Sequence, residues 1–178
     1  MSIRQICCTV LACASVPALG NPHPWPRRTS STRTMQDIAL PEGYTRVSTQ
    51  PKTFGHWLRQ LPLSPAGTPV LLHNGQKKPN QNVHHAVIDL DTGRPDLQQC
   101  ADAVMRLRAE YLWSQQNFDG ICFRFTNGDP AAWTAWRQGI RPRVNKRKVS
   151  WEKRANPDPS YKNFKRYLQN VFMYAGTA

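Results

Sequence analysis

A chain of 178 residues carrying 24 Lys or Arg against 11 Asp or Glu, a formal net charge of +13, has the length of one domain and a strongly basic balance. Five cysteines, three of them at Cys7, Cys8 and Cys13, exclude a small disulfide-dense scaffold, and no apolar run reaches the roughly 20 residues of a membrane-spanning helix. The charge restricts macromolecular partners to anionic ones: nucleic acid, lipid head groups or acidic glycans.

Residues 1–20 read as a secretory signal peptide, with Arg4, an apolar run from Ile6 to Val16 and the small-x-small site Ala18-Leu19-Gly20. Export to the periplasm, cell envelope or medium is expected, with the mature chain starting at Asn21. Val10-Leu11-Ala12-Cys13 also has lipobox form, but the apolar run before Cys13 is short, so a lipoprotein is the lesser reading. Residues 21–40 mix Pro, Ser, Thr and Arg without apolar periodicity and read as a flexible tether. A single domain is expected over 41–178.

Thr53 can cap a short helix with Phe54, Trp57, Leu58 and Leu61 on one face, stopped by Pro62. Val70 to Leu72 is a predicted strand ending at the Asn74-Gly75 turn. A second strand from Val83 to Leu90 alternates, placing His84, Ala86, Ile88 and Leu90 on one face. A helix follows, with Asp96 as N-cap and Gln99 three residues on, an apolar stripe of Leu97, Ala101, Val104, Leu107 and Tyr111, and an Asp102–Arg106 pair. Ile121 to Phe125 is a third strand, and Asp129 with Pro130 starts a short helix ending before Gly139. Val144 to Trp151 forms a hairpin on a basic tip, and Tyr161, Phe164, Leu168, Val171 and Phe172 mark a last helix. Strands and helices are interleaved irregularly, so the fold class is α+β.

Chemistry concentrates at Cys100. A helix N-terminus favours a thiolate, the nucleophilic form, and the predicted cap puts Cys100 in the opening turn. A cysteine enzyme also needs a base, and His84 lies on the strand leading into this helix. The competing reading makes both residues core: a buried, hydrogen-bonded histidine and a small apolar cysteine. Cys122, mid-strand, fits that reading better. Asp89, Asp91 and Asp96 depart from calcium-loop spacing and suit turns and caps. With no CxxC and no His/Cys cluster at zinc spacing, neither a metal nor a cofactor is expected. Trp133, Trp136 and Trp151 could stack on sugars but sit at spacings typical of core aromatics.

The motifs QNVHHAVIDLDTGRPDLQQCADAVMRLRAEYLW, FRFTNG, Trp136 with Gly139-Ile140-Arg141, Val149-Ser150-Trp151 and VFMYAGT resemble a secreted bacterial family described as domain of unknown function 4846, over most of residues 43–177. His84 stands at the family's histidine, whereas His85 and Cys122 stand where other residue types are expected. Members of that family continue past YAGT with a segment that resembles NlpC-type papain-like peptidases, including a Gly-His-Ala-Val strand. The resemblance implies an incomplete papain-like domain, with Cys100 as nucleophile on a helix packed against a small sheet and the base strand absent from this chain. The chain alone is then expected to be inactive or nearly so, with His84 the only local substitute for the base.

Two functions follow as expectations. The favoured one is an exported protein of cysteine-hydrolase ancestry, its candidate catalytic residues Cys100 and His84, directed at peptide or amide bonds of the cell wall. The alternative is a non-catalytic module whose basic segment, eleven Lys or Arg between Arg137 and Arg166 against Glu152 and Asp158, holds an anionic glycan, lipid or cell-wall polymer. Peripheral membrane contact is compatible with either, and export opposes nucleic acid as the partner.

Overall fold

The structure is a computed structural model and describes residues 23–176 apart from Arg147; the signal peptide read at 1–20 lies outside the described residues. The fold is α+β. Its elements are α1 (Phe54–Arg59), α2 (Cys100–Ser114), β1 (Cys122–Arg124), β2 (Pro130–Ala132), α3 (Trp133–Arg137), β3 (Ile140–Asn145), β4 (Lys148–Lys153) and α4 (Tyr161–Tyr174). The strands form two separate antiparallel pairs, β1 with β2 and β3 with β4. No described helix is long and apolar enough to cross a membrane.

The main core is built on α4. Ser160 caps it by accepting from Asn163 N at 3.2 Å, and Phe164, Tyr167, Leu168 and Val171 recur at helical spacing on one buried face. Each such buried side chain contributes about 1.5–3 kcal/mol. The face packs into an aromatic cluster: Trp113 stacks on Phe164 at 4.3 Å between ring centroids, and the fully buried Trp133 meets Phe164 at 5.4 Å. The Tyr167 hydroxyl donates to the Ala131 carbonyl at 2.7 Å, and Thr126 N donates to the Tyr174 carbonyl at 2.9 Å, so α4 also fastens the β1–β2 pair.

Helix α2 presents a different face from the predicted stripe. Its buried residues are Asp102, Arg106, Ala109, Glu110 and Leu112, while Val104 is 67% exposed. Arg106 pairs forward with Glu110 (Nε to Oε1, 2.6 Å) and not back to Asp102. Arg106 Nη1 also donates to the Asp91 carbonyl and to Gln98 Oε1, at 3.3 and 3.4 Å. The Tyr161 hydroxyl on α4 donates to Glu110 Oε1 at 2.7 Å. Lys165, one turn further along α4, pairs with the Asp91 carboxylate. Burial raises the Glu110 carboxyl above its ordinary range against the opposing pull of Arg106, and burial likewise raises the Tyr161 phenol, which stays a neutral donor.

Residues 23–38, part of the segment read as a tether, are packed on the domain. Trp25 is 2% exposed and clusters with Trp57 and Leu61. Its indole donates to the Asp89 carbonyl at 2.8 Å, and the buried Asp89 carboxylate accepts from Arg28 N, Thr29 N and Thr29 Oγ1 at 3.1–3.2 Å. Leu63 N donates to the Arg33 carbonyl at 2.9 Å. Two aromatic anchors and one buried carboxylate outweigh a composition that reads as disorder.

Three further local expectations are corrected. Residues 83–90 form no strand: only Ile88 bridges, to Leu63, because Pro62, Pro65 and Pro69 on the facing segment lack the donors that a ladder needs. Val70 to Leu72 is reduced to a single Leu71–Lys77 bridge across the Asn74-Gly75 turn. Asp129 and Pro130 do not start a helix; Pro130–Ala132 is β2, and α3 begins at Trp133.

Gly139 ends α3 at a φ of +92°, and a Cβ there would lie 1.9 Å from the Ala155 carbonyl oxygen. Gly67 and Gly128 also have positive φ, but with open space around them. Strained backbone alone costs about 1–3 kcal/mol. Gly139→Ala should therefore lower the urea midpoint clearly more than Gly67→Ala or Gly128→Ala; equal midpoints for the three variants would show that residue 155 yields freely.

Candidate functional site

Cys100 is the first residue of α2, exposed and with a free thiol. The predicted cap is displaced: Gln99 is the N-cap, its N–H donating to Asp102 Oδ2 at 3.0 Å, and Asp96 lies outside the helix with its carboxylate 3.5 Å from His73 Nδ1. Cys100 thus stands at the very tip of the helix. The segment leading to it is set by the Arg106 guanidinium, which holds Asp91 and Gln98 on either side of the 92–97 turn.

His84 is half-buried on the segment before α2. Its Nε2 faces the Thr68 carbonyl at 3.4 Å, and its Nδ1 is buried without a hydrogen-bond partner among the described residues. It lines a cleft of about 600 Å³ with Ser64, Thr68, Arg33 and Lys77, and Cys100 is not part of that lining. No hydrogen bond joins His84 to Cys100 among the described residues. Cys122, expected to be buried, is exposed on β1 with a free thiol, because Phe123 takes the inward position of this short strand. Among the described residues no group of three His, Cys, Asp or Glu is placed to hold a metal.

A second cleft, about 390 Å³, lies between the 95–97 turn, Trp136 and the outer side of α4. Leu97 and Met173 give it an apolar wall; Arg166, Gln169 and Asn170 supply polar groups, and Asp96 stands at its rim. Trp136 is 8% exposed and donates its indole N–H to Asn163 Oδ1 at 3.0 Å. Arg141 stacks over the Trp136 ring at 4.0 Å, with Nη1 donating to the Trp136 and Ile140 carbonyls at 2.5 and 2.8 Å. Burial lowers the Arg141 guanidinium from its ordinary value, offset by Asp158 and reinforced by the neighbouring Arg166. Asp158 is held below the usual carboxylate range, first by its hydrogen bonds from Ser160 and then by Arg166 and Arg141. Arg141 and Arg166 thus both lie beside Trp136, and both act electrostatically on Asp158.

The β3–β4 hairpin carries Arg141 at its base. Its pairing runs from Ile140↔Lys153 to Asn145↔Lys148, longer than the predicted 144–151 hairpin. Arg143, Lys146, Lys148, Lys153 and Arg154 are exposed. Only Arg143 approaches an acid, Glu152 at 4.0 Å; Lys146, Lys148, Arg154, Lys162 and Arg166 form no ion pair among the described residues. The charge run was legible in the sequence, but the stacking of Arg141 on Trp136 was not. Its only trace was the recurrence of Trp136 and Gly139-Ile140-Arg141 as one motif. Trp133 and Trp136 are core residues and Trp151 packs on Phe125, so none offers an open stacking platform.

Comparison with curated proteins and with solved structures yields no match to either. A family model, described as domain of unknown function (4846), matches residues 34–178. That span includes α1 to α4, both strand pairs, Cys100, His84 and the Arg141–Trp136 stack. It covers most of the chain, which therefore belongs to the family described as domain of unknown function 4846.

Proposed function

We propose that this domain is a non-catalytic module that holds an anionic polymer along the β3–β4 hairpin and the arginine pair beside Trp136. The observation that carries the reading is the set of exposed cations on the hairpin, just after it and on α4 without ion pairs among the described residues, Lys146, Lys148, Arg154, Lys162 and Arg166, together with the fixed Arg141. Exposed cations left unpaired cost little alone, but along one surface they sum to a potential that attracts a polyanion. If residues 1–20 direct export, as their pattern suggests, the polymers met are acidic glycans, wall polymers and lipid head groups.

The expected behaviour is salt-dependent binding to a polyanionic polysaccharide such as heparin, used as a probe. Replacing Lys146, Lys148 and Arg154 by Ala together should weaken it by about tenfold, each exposed charge contributing up to about 1 kcal/mol. Arg46→Ala, an exposed cation near the N-terminal segment, should leave it unchanged. Equal loss in both variants would reduce the effect to net charge, and no loss in the triple variant would remove this face from the reading.

The exposed Cys100 thiol at the tip of α2 favours a second reading, a cysteine hydrolase acting on cell-wall peptides. Cys100 would attack the amide carbonyl, with α2 backbone N–H groups supporting the oxyanion. Positioned acid–base assistance is worth about 10²–10⁴ in rate, and His84 is not bonded to Cys100. This chain should accordingly turn over wall peptides no faster than its Cys100→Ala variant. Robust turnover abolished by both Cys100→Ala and His84→Ala would establish the hydrolase and make His84 its base.

A further inference from the structure

We propose that the cleft between the 64–69 turn and residues 84–87 binds the phosphate group of a small polar molecule, with Arg33, Lys77 and His84 as its donors. This cleft is separate from the basic hairpin face and does not rest on the polymer reading. Its lining is electrostatically one-sided: Arg33, Lys77, His84 and His85 contribute to it, and no Asp or Glu does. Neither Arg33 nor Lys77 forms an ion pair among the described residues. The nearby Asp37 carboxylate accepts from the Thr34 N–H at 2.7 Å and hydroxyl at 2.9 Å; it also attracts Arg33 electrostatically, but it does not line the cleft. Arg33 and Lys77, brought to one cleft, repel one another unless an anion lies between them.

The second observation is the His84 ring. Its Nδ1 is sequestered from solvent without a partner, while Nε2 is at 3.4 Å from the Thr68 carbonyl, the long limit of a hydrogen bond. Nε2, so weakly held, is the ring nitrogen that can turn to a ligand in the cleft, whereas Nδ1 faces the protein interior.

The donors are carried on fixed backbone. Arg33 is held by the Leu63 N–H at its carbonyl and by the adjoining Thr34–Pro62 bridge. Lys77 is held by the Leu71 bridge and by Lys78 N donating to the Val70 carbonyl at 2.9 Å. Gln81 clamps both backbone groups of Val70, at 2.9 and 3.1 Å, and Ser64 N donates to the Val87 carbonyl at 2.9 Å. Binding then has to order the Arg33 and Lys77 side chains but not their backbone. Donors arriving from three segments suit a tetrahedral group with several acceptor oxygens better than a planar carboxylate. The volume of about 600 Å³ exceeds that of a bare ion and falls in the range of small-molecule sites.

The test is a titration of the ¹⁵N-labelled full chain with inorganic phosphate at constant ionic strength, beside sodium acetate and sodium chloride. Saturable shifts at residues 64–69, 77 and 84–87 are expected for phosphate alone, including the His84 ring nitrogens. Arg33→Ala and Lys77→Ala should each weaken phosphate by about threefold or more, while Arg124→Ala on β1 should not. Non-saturable shifts, shifts centred on β3–β4, or full affinity in both variants would overturn the site. Acetate binding as tightly as phosphate would overturn the phosphate assignment.

Discussion

The buried Arg106–Glu110 pair, with the Tyr161 hydroxyl on the same carboxylate oxygen, is the interaction on which the arrangement of the domain depends. Three parts of the chain meet there. Arg106 and Glu110 lie on α2, Tyr161 opens α4, and Asp91 and Gln98 bracket the turn before Cys100. Lys165 ties α4 to the Asp91 carboxylate, which it holds below the usual range. Charges removed from water must be matched closely, because an unmatched one costs several kcal/mol. Tyr161 and Lys165 thereby tie α4 to α2 and to the Asp91 segment, although Arg106 Nη2 and Glu110 Oε2 stay without hydrogen-bond partners among the described residues, and the Trp113–Phe164 stack completes the core.

Both proposed binding surfaces follow from that placement together with the docking of the N-terminal segment. On one side, α4 turns Arg166, Gln169 and Asn170 outward beside Trp136, and the β3–β4 hairpin carries Arg141 onto the Trp136 ring. On the other, Trp25 and the Asp89 carboxylate fasten residues 23–38 to the domain and bring Arg33 to the wall of the His84 cleft. The two surfaces use separate residues. Cys100 belongs to neither cleft lining, although the turn that precedes it contributes Asp96 and Leu97 to the Trp136 cleft.

Elements specified by local rules were legible in the sequence. Thr53 caps α1 by accepting from His56 N at 3.3 Å, the basic tip lies on a hairpin, and Phe164, Leu168 and Val171 of the expected α4 stripe are buried, with Tyr161 and Phe172 partly so. Elements decided by partners distant in sequence were not. On α2, Leu107 and Tyr111 of the expected stripe pack on the Trp57 cluster, but the fully buried face also holds the Arg106–Glu110 pair, whose charges a search for apolar periodicity passes over. The alternation at 83–90 suggested a strand, but the opposing prolines could not supply a ladder. The tether composition hid Trp25, whose burial depends on Trp57 and Asp89 far along the chain. At the sites, the cation run and His84 were visible from sequence; that His84 meets the Thr68 carbonyl in a cleft that Cys100 does not line was not.

A double-mutant cycle on Arg106→Met and Glu110→Leu, read as unfolding free energies in urea, tests this account most directly. Each single substitution leaves the other charge buried and should cost about 3–5 kcal/mol, whereas the double variant should cost clearly less than the sum because apolar side chains of similar volume replace the pair. Additive costs, or single variants within about 0.5 kcal/mol of the parent, would contradict the claim that this pair sets α4 on α2.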